Sequence, residues 1–147
     1  MTAQAHPLND AEMMLLGDVI DRLVPPIDDL PGAGAMGLAP EADSLARQHA
    51  PYHRALAIFI EKLALKWSAE LPPSQKDALL GDLEAADGAS FNAVLELVYL
   101  AYYGDPRVHR RVGWRGGPLQ PEGFPLAPFN PEILQAVRQR KPFWRQT

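Results

Sequence analysis

Residues 90–106 read SFNAVLELVYLAYYGDP. Drawn as a helix, this stretch places Phe91, Val94, Leu95, Leu97, Val98, Leu100 and Ala101 on nearly every side. A surface helix keeps one polar face, so a helix that is apolar almost all round belongs at the centre of a bundle. The spacing predicts a helix over 90–103, with other helices packed around it. No stretch of the chain alternates apolar and polar residues with period two over a useful length, so strands are not expected. The fold class read from the sequence is all-α, a small bundle of four to five helices.

The flanking segments supply the other helices. Asn9 and Glu12 have the spacing of a capping box. Met13, Leu16, Ile20 and Leu23 then recur on one face, so a helix is expected over 10–24, ended by Pro25-Pro26. Residues 27–38 (IDDLPGAGAMGL) hold too many glycines for regular structure and read as a loop. A short helix over 40–48 has Pro40 near its first turn, and Pro51 opens the next, because a proline at the first helical position loses no hydrogen bond. Over 52–69, Leu56, Phe59, Ile60, Leu63 and Trp67 fall on one stripe. Pro72-Pro73 breaks it. Ser74 with Asp77 begins another helix carrying Leu79, Leu80 and Leu83, and Gly88 reads as its C-terminal stop.

Charge and proline divide the chain near Gly104. Residues 1–100 carry 6 basic and 15 acidic side chains, a net of −9, while residues 101–147 carry 8 basic and 3 acidic, a net of +5. The sequence thus reads as an acidic helical body, 1–103, followed by an extended basic tail, 104–147. The 15 prolines and 11 glycines among 147 residues exceed the usual share, roughly 12%. One short helix is expected in the tail over 131–139, opened by Pro131 and capped by Asn130. The tail nevertheless holds Trp114, Phe124, Phe129, Phe143 and Trp144, 5 of the chain's 12 aromatic residues. Disordered tails are poor in aromatics. Buried on a partner, five aromatics would cover roughly 750–1,250 Å², comparable to one side of a standard protein interface, about 800 Å².

Composition excludes several function classes. There is no cysteine, which removes disulfides, thiol catalysis and cysteine-based metal centres. The formal charge of −4 argues against a general nucleic-acid binder. The opening MTAQAHPLNDAEMM has neither a secretory nor a twin-arginine pattern, so the chain reads as cytoplasmic as it stands, or periplasmic if a partner carries the export signal. Gly32-Ala-Gly34-Ala-Met-Gly37 fits G-x-G-x-x-G, but a helix and two prolines precede it where the dinucleotide fingerprint needs a strand. It reads as a flexible or partner-touching loop. His49 and His53 have an i, i+4 spacing, yet Pro51 lies between them and no third ligand stands nearby, so no metal site is expected. Asp18 with Asp21, and Asp28 with Asp29, are candidate carboxylate pairs; on amphipathic helices and in turns these are usually solvated faces and caps. There is no G-x-S-x-G, P-loop or H-E-x-x-H pattern. No catalytic, cofactor-binding or metal-ligating residue is assigned.

The residues that stand out suit a partner instead. Tyr99, Tyr102 and Tyr103 end the central helix, and Arg107, Arg110, Arg111 and Arg115 accompany Trp114; Arg and Trp are types that anchor protein interfaces. The expected partner-binding set is Tyr102, Tyr103, Arg107, Trp114, Phe124, Phe129 and Trp144.

The order of elements resembles the gluconate 2-dehydrogenase subunit 3 family, the small subunit of bacterial flavin-dependent sugar and alcohol dehydrogenases. The resemblance lies in AEMMLLGDVIDRLVPPIDDLPGAGAMG, in the long helix bearing Tyr52, Leu56 and Phe59, in Phe91 leading to YLAYYGDPRV, and in the tail GWRGGPLQPEGF. It covers about residues 10–130. It implies a non-catalytic subunit that stabilises or helps mature a large FAD-containing subunit of the glucose–methanol–choline type, with a cytochrome c as a possible electron acceptor. FAD would belong to the partner and not to this chain. Many members carry a twin-arginine leader that these opening residues lack. Two other classes compete: an autonomous small enzyme using Asp28, Asp29 or His53, and a nucleic-acid adaptor using the basic tail.

Overall fold

The computed structural model describes residues 7–118, 123, 125, 126 and 128–140. Among these the chain is all-α: seven α-helices and one turn of 3-10 helix, with no strand. Met1–Arg115 forms one compact unit and Gly116–Thr147 a second.

The first unit is built on the helix that the opening stretch predicts. α5, Gly88–Gly104, buries Phe91, Val94, Leu97, Val98, Ala101 and Tyr102. It packs against α2 (Ala39–Gln48), α3 (Ala50–Ala64), α4 (Pro73–Ala86) and α6 (Pro106–Arg111). Leu97 on α5 and Leu56, Phe59, Ile60 and Leu63 on α3 are almost wholly buried. Each contributes about 1.5–3 kcal/mol over its exposed state. The Phe59 and Phe91 rings meet with centroids 6.0 Å apart. α1, Asp10–Leu23, adds Leu16, Val19 and Ile20 to the same core and packs on α2 and α3.

Local chemistry places most boundaries. The capping box at α1 is formed in both directions: Glu12 N–H donates to Asn9 Oδ1 (3.0 Å), and Asn9 N–H donates to Glu12 Oε2 (2.9 Å). Proline sits in the first turn of α2, α3, α4 and α6, where its missing N–H costs no helical bond. In the second unit, Asn130 Oδ1 accepts from Glu132 N–H (2.9 Å), opening a 3-10 turn, Pro131–Leu134, that continues into α7, Gln135–Arg138.

Four expectations differ from what is found. α3 ends at Ala64, where Lys66 N–H turns back to Leu63 O (2.9 Å) in a tightened last turn and Trp67 N–H shares the same oxygen (2.8 Å). Trp67 therefore lies beyond α3, half-buried against the same core. Its indole N–H donates to Asp18 Oδ2 of α1 (2.7 Å). Lys76, only 7% exposed, reaches the same carboxylate at 2.7 Å and Ala69 O at 3.1 Å, and lies over the Trp67 ring. This cluster pins the α3–α4 connection onto α1. Second, Ser74 does not cap α4, whose N-cap is Pro72; Asp77 instead forms a forked pair with Arg22 of α1. Third, Gly88 opens α5 rather than stopping α4. Asp87 between them is the cap, accepting from Ser90 N–H (3.1 Å).

The fourth difference concerns the chain beyond Gly104. The charge break there lies inside the first unit, which runs to Arg115. Asp105 caps α6 through Arg107 N–H (2.7 Å), and Val108 is buried on the body. Six residues are too few to show helical periodicity, so this helix leaves no pattern in the sequence.

Candidate functional site

The glycine-rich loop is a packing element. Ala33, Met36 and Leu38 are buried in the core. Ala33 N–H donates to Val24 O (3.0 Å), Met36 N–H to Gly32 O (2.8 Å) and Ala35 N–H to Asp21 Oδ1 (2.9 Å). A Cβ on Gly34 would lie 2.0 Å from Gly17 O of α1, so only glycine lets the loop approach that helix. These bonds fix the loop against α1, so the flexible reading does not describe these residues. Ala33, Ala35, Met36, Gly37 and Leu38 present their backbone N–H groups to the chain itself.

The loop also holds α6. Arg107 donates to Met36 O (2.8 Å) and to both oxygens of Asp105 (2.9 and 2.8 Å). Those bonds lower the Asp105 carboxyl below the usual carboxylate range and raise the Arg107 guanidinium. Arg111 pairs with Asp28 and, at 3.1 Å, with Asp29. The candidate carboxylate pair Asp28–Asp29 is thus an arginine dock in a tight turn, where Asp28 has φ of 51°. His53 lines a separate groove with Leu8, Ala57 and Ile60. The Asp18–Asp21 pair is likewise divided: Asp18 serves Lys76 and Trp67, and Asp21 serves Ala35. His49 precedes α3 and packs edge-on against Tyr52.

Exposed aromatic side chains gather in a strip along the end of α5 and over α6. Tyr99 and Tyr103 stand one helical turn apart with ring centroids 6.1 Å apart, and Tyr103 is 58% exposed. Tyr102 meets Tyr103 edge-on at 5.3 Å but is itself buried. His109 Nε2–H donates to Tyr103 O (2.5 Å), and the His109 ring abuts the Trp114 ring at 4.2 Å. Trp114 N–H returns to His109 O (2.9 Å), so this side chain belongs to the first unit and not to a loose tail; it is 41% exposed. Half-exposed Leu100 joins the strip to an apolar cleft lined by Leu38, Leu45, Ala101 and Pro106.

The expected partner-binding residues are therefore divided. Tyr103 and Trp114 share this strip, Tyr102 supports it from beneath, and Arg107 is engaged within the chain. Phe129 is exposed in the second unit. Phe124 and Trp144 lie outside the described residues. Sequence reasoning missed Leu100 and His109. Leu100 stands on a helix that is apolar all round, which gives no sign of which side is left uncovered.

No helix among the described residues is long and apolar enough to cross a membrane. No protein-family model, curated protein or solved structure matches the chain.

Proposed function

We propose that this chain is a non-catalytic helical subunit that binds and stabilises a larger protein. From the family resemblance of its sequence, that protein is an FAD-dependent sugar or alcohol dehydrogenase subunit. The observation that carries the binding role is the exposed strip of Tyr99, Leu100, Tyr103 and Trp114. Interfaces concentrate their energy in such Tyr and Trp anchors, set on rigid elements and surrounded by less important contacts. The strip is rigid here because His109 ties the end of α5 to Trp114, and because arginines 107 and 111 tie α6 to the loop below. Asp28 and Asp29, two of the residues a catalytic reading would use, pair with Arg111 beneath this platform. Flavin chemistry and substrate would belong to the partner, and a cytochrome c would take the electrons.

The test replaces Tyr103 and Trp114 together by serine in the full chain, produced in its native cells. Two interface anchors are worth about 2 kcal/mol or more each, so recovery of the flavoprotein should fall by more than roughly a hundredfold. Unchanged helicity in circular dichroism shows that the body is intact. Equal recovery of flavoprotein by the variant would overturn the assignment of this surface.

A further inference from the structure

The strip on the first unit leaves the second unit unused. Within it, residues 128–140 form a short capped helical segment. Asn130 opens it, and Gln139 and Arg140 N–H close it on Gln135 O and Val137 O at 3.2 and 3.1 Å. Three apolar side chains project from it: Phe129 is 68% exposed, Ile133 64% and Val137 55%. Ile133 and Val137 are at i, i+4 and share a helix face. Exposed Arg138 and Arg140 follow, and the sequence continues Lys141-Pro142-Phe143-Trp144-Arg145. Residues 126–147 hold four basic side chains and one acidic.

We propose that this segment is a peripheral membrane contact that lies on an anionic lipid surface. Three features select that occupant. Its charge is the opposite of anionic headgroups, whereas residues 1–100 carry a net of −9 and are repelled by them. Its apolar residues are those an interfacial helix places at the acyl boundary, with arginines whose stems reach back to the headgroups. Its length suits a surface and not a groove: Pro131–Arg138 gives one i, i+4 pair, while a helix seated in a protein groove needs anchors extending to i+7. Nucleic acid would use the arginines but leave Ile133 and Val137 without a role. The inference is independent of the dehydrogenase reading.

The test is sedimentation of the purified full-length chain with vesicles, either phosphatidylcholine alone or phosphatidylcholine mixed with phosphatidylglycerol. Binding is expected only to the mixed vesicles and should weaken as salt shortens the screening length. A basic residue near an anionic surface is worth about fivefold in binding, so Arg138→Gln with Arg140→Gln should weaken it roughly thirtyfold. Ile133→Ser with Val137→Ser should weaken it by at least roughly tenfold. Both pairs are exposed, and circular dichroism should show the helical content kept. Absence of binding to mixed vesicles overturns the proposal, as does equal binding to phosphatidylcholine alone. Undiminished binding by either double variant overturns it too. Tight binding to a DNA duplex that the serine pair leaves unchanged would assign the segment to nucleic acid instead.

Discussion

Gly34→Ala should be the most damaging one-methyl change in the loop. The added Cβ would sit 2.0 Å from Gly17 O and 2.9 Å from Asp21 Cβ. A comfortable carbon–oxygen contact is about 3.3 Å or more, so the loop must retreat from α1 by over ~1 Å. Gly17 O is backbone within α1 and cannot rotate away. Retreat would stretch the bonds from Ala33 N–H to Val24 O and from Ala35 N–H to Asp21, and would unseat buried Ala33, Met36 and Leu38. Overpacking of this kind costs about 1–3 kcal/mol, and the strained bonds bring the expectation to the upper end. For a chain of this size that is roughly 6–12 °C in Tm. Gly37→Ala is the control: φ is +75° but nothing lies within 4 Å, so only the left-handed backbone cost of about 1 kcal/mol remains. Gly32→Ala meets the Asp21 carboxylate at 2.3 Å, the end of a side chain that can turn aside, and should fall between. Thermal melts by circular dichroism check the order. If Gly34→Ala melts with the wild type, the loop is not packed as described, and its glycines must serve something else.

Other predictions follow from the remaining contacts. Lys76→Met removes the cation from Asp18, which keeps the Trp67 bond and is partly open to water; the expected loss is about 1–3 kcal/mol by chemical denaturation, below that for a fully buried pair. A chain stopped after Gly104 loses Val108 and the arginine docks of α6, and should melt lower than one stopped after Arg115, which keeps them. The backbone and side-chain bonds from Ser90 lower the Asp87 carboxyl below the usual range, with Lys62 adding to them, and the bonds from Arg107 lower Asp105. A depressed folded value adds stability above the ordinary carboxylate pKa and loses it as pH falls through the lowered value. Melts at neutral pH and near ~pH 3 should therefore show a shallower acid loss for Asp87→Asn with Asp105→Asn than for the wild type.

The bundle was legible because its signals are local. The Asn9–Glu12 box, the prolines that open helices, and the all-apolar face of α5 each act within a few residues. Several of the failures depend on contacts distant in sequence. Trp67 lies beyond α3, and its indole N–H goes to Asp18, far back on α1. Asp77 is drawn to Arg22 and away from a cap. The loop glycines carry no side-chain pattern, so their fit against Gly17 is visible only in three dimensions. The same holds for the site. The residue types that suit an interface could be named, but Tyr102 beneath the surface and Tyr103 upon it have the same chemistry in sequence. Arg107 was indistinguishable from a free arginine until Met36 O and Asp105 were found beside it.

The most direct test of the subunit reading is to purify the tagged full-length chain from its native cells under mild conditions and record the absorbance spectrum of the eluate. A larger partner in fixed proportion, with the bands of oxidised flavin that bleach on addition of a sugar or alcohol substrate, is the predicted result. A colourless chain recovered alone, with no flavoprotein alongside it, would contradict the account.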